Sequence, residues 1–136
     1  MTPVITEFVQ RMLAGDPGSS VMGIEVLSAA EGAAFARLTV VVQLTNGHGI
    51  CHGGIVYSLA DTAFACAANS VLPRSATADA SIVYFSPARV GEVLLAEARV
   101  RHRGSRQVFA DVTVRSGDRL VADYRGRGAL LKPPAD

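Results

Sequence analysis

The chain has 136 residues, 49% of them hydrophobic, and its 13 basic side chains nearly cancel its 12 acidic ones to a formal charge of +1. That length suits one domain, 1–136, with a real core, and the balanced charge excludes the global field that draws proteins to nucleic acid or anionic membranes, so any anion is met locally. Two cysteines, Cys51 and Cys66, are too few for a disulfide framework, and the opening MTPVITEFVQRMLAG lacks the basic start and apolar run of a secretory signal, so a cytoplasmic protein is expected.

Ile5, Phe8, Val9, Met12 and Leu13 recur at helical spacing, with Thr2 placed to cap and Pro3 at the first helical position. A short amphipathic helix is expected there, stopped around Asp16-Pro17-Gly18. Residues 21–28 and 33–42 are rich in β-branched side chains and are separated by Glu31-Gly32, which reads as a hairpin. Thr45–Gly54 (TNGHGICHGG) holds four glycines in ten residues and feeds an apolar stretch without proline until Pro73, so a loop followed by a long helix is expected. Between Gly53 and Leu72 the presence of Asp61, Asn69 and Ser70 argues against a membrane span.

Four strands are expected next, at 77–86, 92–102, 106–115 and 119–130, split by turn signals at Pro87, Gly91, Gly104 and Gly117-Asp118. In 106–115, Val108, Ala110, Val112 and Val114 alternate with Gln107, Asp111, Thr113 and Arg115, so one face of the sheet is buried and the other wet. The last residues, 132–136, read as a loose tail. Ile55, Val56, Leu59, Ala60, Ala63, Phe64, Ala67, Ala68 and Val71 make the central helix apolar nearly all round, which requires cover on most sides. A curved antiparallel sheet around one helix provides it, an α+β architecture.

Asp61 lies in the middle of that apolar helix, where a carboxylate is costly unless it is paired, hydrogen-bonded or facing a cavity. It reads either as a structural cap for a neighbouring loop or as a functional acid. Gly53 and Gly54 carry no side chain at the start of the helix, so a ligand can approach unpaired N–H groups aided by the helix dipole. Those groups would suit a carbonyl oxygen gaining negative charge, although an ordinary turn uses glycine as well.

Asn46-Gly47-His48-Gly49-Ile50-Cys51-His52-Gly53-Gly54, followed by Leu59-Ala60-Asp61-Thr62-Ala63-Phe64-Ala65 and Asn69-Ser70, closely resembles the hot-dog thioesterases of the PaaI (phenylacetyl-CoA thioesterase) type. Tyr84-Phe85-Ser86-Pro87-Ala88, Gly91-Glu92 and Val121-Ala122-Asp123-Tyr124-Arg125-Gly126 extend the resemblance over roughly residues 40–128. The resemblance implies a hot-dog fold, hydrolysis of an aryl or medium acyl-CoA as in phenylacetate degradation, and no cofactor beyond the coenzyme A of the substrate. It assigns the His-Gly-Gly motif to His52, Gly53 and Gly54, with the Gly53 amide on the thioester carbonyl. It assigns the loop asparagine to Asn46, the helical acid, as general base or nucleophile, to Asp61, and an assisting hydroxyl to Thr77. The family's usual cysteine in Ala-Cys-Asn-Ser is Ala68 here, while Cys66 lies two places earlier.

A thioester has an activated carbonyl and a good leaving group, so one carboxylate and one set of oxyanion donors suffice without a metal. His48 and His52 have a four-residue spacing but no third ligand nearby in sequence. His52 reads as a loop-bonding residue rather than a base, and Cys51 and Cys66 read as inert buried thiols. Tyr57 is either packing or the wall of an aryl slot. Arg101, His102, Arg103 and Arg106 crowd one turn, and Arg125 and Arg127 flank Gly126; Arg103, Arg106 and Arg125 are candidates for the coenzyme A phosphates, against the reading of a solvated basic surface.

Gly54 and Asp61 are seven residues apart, about 10 Å along a helix, too far to serve one carbonyl held within about 3 Å of an amide. An antiparallel second copy across a two-fold axis would supply the missing carboxylate, and the resemblance implies the same homodimer with shared sites, commonly as a dimer of dimers. Two rival functions fit parts of the pattern. A hot-dog hydratase or dehydratase would need a catalytic histidine, whereas the long helix offers an aspartate. A non-catalytic thioester-binding dimer would have no use for Asp61, Asn46 and both glycines together.

Overall fold

The computed structural model describes residues 4–132. Helices α1 (Glu7–Ala14) and α2 (Pro17–Met22) precede strands β1 (Glu25–Ala30) and β2 (Ala33–Thr39), a 3-10 turn (Val42–Leu44) and the long helix α3 (Gly53–Val71). Strands β3 (Ser75–Tyr84), β4 (Val93–Arg103), β5 (Gln107–Ser116) and β6 (Arg119–Leu130) complete one antiparallel sheet in the order β1-β2-β4-β5-β6-β3. This is the expected α+β hot-dog arrangement, with one sheet wrapped on one helix.

The inward face of the sheet is built from small residues. Ala34, Ala36, Ala96, Ala98 and Ala110 are buried beside Leu38, Leu94, Val108, Val112 and Val114, and the alternation read in the sequence of β5 is the one observed. Small side chains let α3 sit close to the sheet. At Gly126 the approach is extreme, since a Cβ there would lie 2.9 Å from the Phe64 ring and 2.9 Å from that of Tyr124. Gly126, between Arg125 and Arg127 of β6, is therefore clearance for the helix, a packing constraint that overpacking would violate.

The N-terminal part differs from the sequence-based expectation. Pro17 does not end helical structure; it opens α2, where Asp16 caps with Oδ1 accepting from the Ser19 amide at 3.1 Å and Oδ2 from the Ser19 hydroxyl at 2.7 Å. Proline suits the first turn because its missing N–H is one of the unpaired groups there. Val21 and Met22 consequently belong to α2, and the strand expected from residue 21 begins at Glu25, after Gly23 turns the chain with φ 79°. The cap expected at Thr2 and Pro3 lies outside the described residues; α1 starts after Thr6, and Ile5 forms a bridge with Ala29. Residues 133–136 of the expected tail also lie outside them.

Two further boundaries moved for the same kind of reason. The β-branched run at 40–42 leaves the sheet because Val40 bonds to the connection before β4, through Val40 N–H to Glu92 O at 2.9 Å and Gly91 N–H to Val40 O at 2.8 Å. Strand β3 begins at Ser75, two residues earlier than expected, because Asn69 fastens the end of α3 to it. The Asn69 amide donates to Ser75 O at 3.0 Å, and its Oδ1 accepts from the Ser75 N–H at 3.1 Å. This buried staple sets the position of Thr77, two residues on, relative to the helix.

Candidate active site

The glycine loop is organised by Asn46. Its Oδ1 accepts from the amides of His48 at 2.9 Å and Ile50 at 3.4 Å, a side-chain turn that leaves the amide group of Asn46 to act as donor elsewhere. A backbone bond from Cys51 N–H to Ala88 O (2.7 Å) holds the loop against the connection between β3 and β4, and one from His52 N–H to Leu44 O (2.8 Å) ties it to the 3-10 turn. His52 is the N-cap of α3, and its Nδ1 accepts from the Gly54 amide at 3.4 Å. Its ring thus bonds the loop backbone. The Gly53 N–H has no acceptor among the described residues.

Asn46 and Gly53 face the same cleft, of about 460 Å³, whose walls include Cys51, Val56, Tyr84, Phe85 and Pro87. The sequence assigns Tyr84 no role. Its hydroxyl donates to Gly53 O at 2.7 Å, and its ring lies so near that a Cβ on Gly53 would be 3.3 Å from it. Burial pushes the Tyr84 phenol up from its ordinary pKa, with the neighbouring Tyr57 adding to the shift, so it persists as a donor.

Asp61 is part of a second cluster. Half-buried on α3, it accepts at Oδ1 from the Thr77 hydroxyl of β3 at 2.7 Å and from the Tyr124 hydroxyl of β6. Tyr124 is buried, with its ring edge-on to Tyr57 at 5.5 Å between centroids. Burial and the bond to Asp61 push its phenol far above the usual range, which keeps the proton on the donor. Tyr124 is the residue that sequence reasoning missed. The available signal was an aromatic hydroxyl at an inward position of β6, among Ala122, Gly126 and Gly128, where a buried phenol demands a partner.

The structure therefore brings Asn46 to Gly53, and Thr77 to Asp61, but does not join the two pairs within one chain. Asp61 is not among the residues lining the cleft, and it lies eight positions beyond Gly53 on the helix, about 12 Å of rise. The arginines are dispersed. Arg103 donates to Val71 O at 3.1 Å at the far end of α3, and Arg125 pairs with Asp111 at 3.2 Å on the outer face of the sheet, where Arg101 also reaches Asp111. Arg106 is exposed in the β4–β5 turn, its carbonyl accepting from Leu130 N–H. None of the three candidates for phosphate contact lines the cleft.

Both cysteines are buried free thiols. Burial raises the Cys51 thiol although Cys51 borders the cleft, and burial with the Asp16 charge raises Cys66 to about 12, so neither is primed as a thiolate. Among the described residues, no three His, Cys, Asp or Glu side chains group as a metal site.

The outer lip of the cleft is braced by Glu92. Its carboxylate accepts from Arg119 at 2.7 Å, from the Arg89 amide at 2.6 Å and from Ser116 at 2.9 Å, while Arg119 also holds Ser86 and Pro87 O. The Arg119 and Arg89 bonds hold the carboxyl down to about 2. Because the folded value lies below the unfolded one, this stabilisation is complete above the ordinary glutamate range and is lost as pH falls toward about 2. Glu92→Gln should lower Tm by about 2–4 °C at neutral pH, a partly exposed brace being worth little more. The gap should narrow in acid, and a gap that widens there would contradict the assignment.

Comparison with known proteins places this geometry among relatives. Residues 48–122 match the thioesterase superfamily. The acyl-coenzyme A thioesterase PaaI of Escherichia coli is 38% identical over 117 residues, covering 85% of this chain and 84% of that protein. The structure of the E. coli PaaI protein from the phenylacetic acid degradation operon superposes with a TM-score of 0.89 at 35% identity, over 93% of this chain and 92% of that one. Human acyl-coenzyme A thioesterase 13 is 30% identical over 132 residues, covering 92% of this chain and 93% of that protein. A Streptococcus mutans protein solved bound to acetyl CoA superposes with a TM-score of 0.76 at 25% identity, over 82% of this chain and 91% of that one.

Proposed function

The chain belongs to the thioesterase superfamily, and from that premise we propose that this thioester hydrolase cleaves an aryl-acyl or medium acyl-coenzyme A to the free acid and coenzyme A. The observation that carries the reading is Asp61, a carboxylate on an apolar helix whose Oδ1 is held by two hydroxyls. The names of the E. coli and human relatives support acyl-coenzyme A as the substrate class. An aryl group suits the aromatic wall formed by Tyr84 and Phe85, and the operon named for the E. coli structure points the same way.

The working unit is a homodimer. Among the described residues β3 pairs only with β6 at the end of the sheet, so its ten residues present a free edge, and Val83 and Tyr84 within it and Phe85 after it are about half exposed. A long, apolar edge strand is a template for pairing, and a second copy on β3 would carry its own Thr77 and Asp61 toward the first chain's cleft. Each site then takes Asn46 and Gly53 from one chain and Asp61 and Thr77 from the other, and two such dimers form the tetramer. Two free thiols suit a reducing cytoplasm, and no described helix is long and apolar enough to cross a membrane.

In the reaction, the Gly53 N–H and the Asn46 amide hold the carbonyl oxygen of the thioester. Asp61 takes a proton from water as the water oxygen bonds to the carbonyl carbon, and the carbonyl electrons move to the oxygen at Gly53. Collapse breaks the C–S bond, the electron pair leaves with the coenzyme A sulfur, and the proton on Asp61 passes to that sulfur. No metal or cofactor is required. Thiol release from a panel of acyl- and aryl-coenzyme A thioesters should be fastest with aryl or medium chains. No release from any member would overturn the reading, and a change in double-bond absorbance without free thiol would reassign the protein to hydration chemistry.

A further inference from the structure

Two hydroxyls converge on one oxygen of Asp61. Thr77 reaches Oδ1 from β3 and Tyr124 reaches it from β6, while Oδ2 receives no donor among the described residues. Tyr124 has little freedom to move. It is 2% exposed, with its ring 5.5 Å from Tyr57 and 5.7 Å from Phe64, and its strand registers Tyr124 opposite Ile82 of β3 and Val112 of β5.

We propose that Tyr124 is a positioning residue for hydrolysis, which together with Thr77 pins Oδ1 so that Oδ2 is the oxygen that takes the proton of the attacking water. The inference rests on the reading of Asp61 given above. One hydrogen bond leaves a carboxylate free to rotate about its terminal torsion; two, arriving from different strands, fix both its plane and the direction of the remaining oxygen. The rigidity of the donor matters, and Tyr124 supplies a firm anchor because its ring is buried against those of Tyr57 and Phe64. Its phenol also stays protonated through the working range, since burial and the adjacent carboxylate both oppose ionisation.

The test compares kcat and KM for the wild type, Tyr124→Phe, Thr77→Val, Thr77→Ser and Asp61→Asn, each with a thermal melt. Tyr124→Phe keeps the ring and its packing. It should leave KM within about two-fold and lower kcat by about ten- to a hundred-fold, as loss of one bond to a charged group implies. Thr77→Val should lower kcat in the same way with KM held, and Thr77→Ser should restore it. A Tyr124→Phe enzyme with wild-type kcat, beside an inactive Asp61→Asn, would overturn the proposal and leave Tyr124 as packing. An active Asp61→Asn would instead overturn the reading of Asp61 itself. Should Tyr124→Phe fail to melt cooperatively, Thr77→Val decides, because an unchanged kcat there also contradicts a pinned Oδ1.

Discussion

Asp61→Asn should lower kcat by about a thousandfold, within the range that a positioned general base contributes, and leave KM within a few-fold. The substitution is nearly isosteric, and the carbonyl oxygen of an asparagine can still accept from Thr77 and Tyr124, which donate to Oδ1 of the wild type. What changes is the other atom. An amide nitrogen then stands where Oδ2 stood, and a donor cannot take a proton from water. The loss therefore falls on the transition state, which is why kcat and kcat/KM drop together. Steady-state kinetics beside a thermal melt check this, with the melt expected to stay cooperative. A comparable loss in a remote surface variant such as Glu25→Gln would show that the effect is not specific to Asp61.

The parts of the fold that were legible in the sequence are those governed by local periodicity. Alternation of Val108, Ala110, Val112 and Val114 with polar residues describes one wet and one buried face, and turn residues separate the strands on either side. Asp61 stood out for a related reason, as a charge amid the apolar period of a helix. The misread segments depend on capping or on distant partners. Asp16-Pro17-Gly18 carries a stop signal and a start signal at once, and which one governs is decided by the Asp16 side chain reaching Ser19. The run at 40–42 has strand composition but no strand to pair with, a fact fixed by residues about fifty positions later.

The same division applies to the site. Asn46, Gly53 and Asp61 sit in a contiguous motif, whereas Tyr124 meets Asp61 only because β6 lies beside β3 under the helix, 63 residues farther along the chain. The local pattern shows that an inward phenol on β6 needs a partner, but not that the partner is Asp61. The arginines depend on distant partners in the same way, since Arg103 bonds the carboxyl end of α3 and Arg125 pairs with Asp111, contacts that the basic cluster in the sequence does not show.

The shared site is tested most directly by reassorting two inactive chains. Gly53→Val would fill the space beside the carbonyl, at the cost of pressing on Tyr84, and Asp61→Asn removes the base; each is first shown to be dimeric and to melt cooperatively. If Gly53 and Asp61 of one site come from different chains, a mixed dimer holds one doubly damaged site and one intact site. Random pairing makes about half the dimers mixed, so two-fold symmetry alone returns about a quarter of wild-type activity. Exchange is verified by mass, and thiol release from the best acyl-coenzyme A is then measured. Recovery to about a quarter is the predicted result. Fully exchanged subunits that remain inactive would place both groups in one chain and contradict the account.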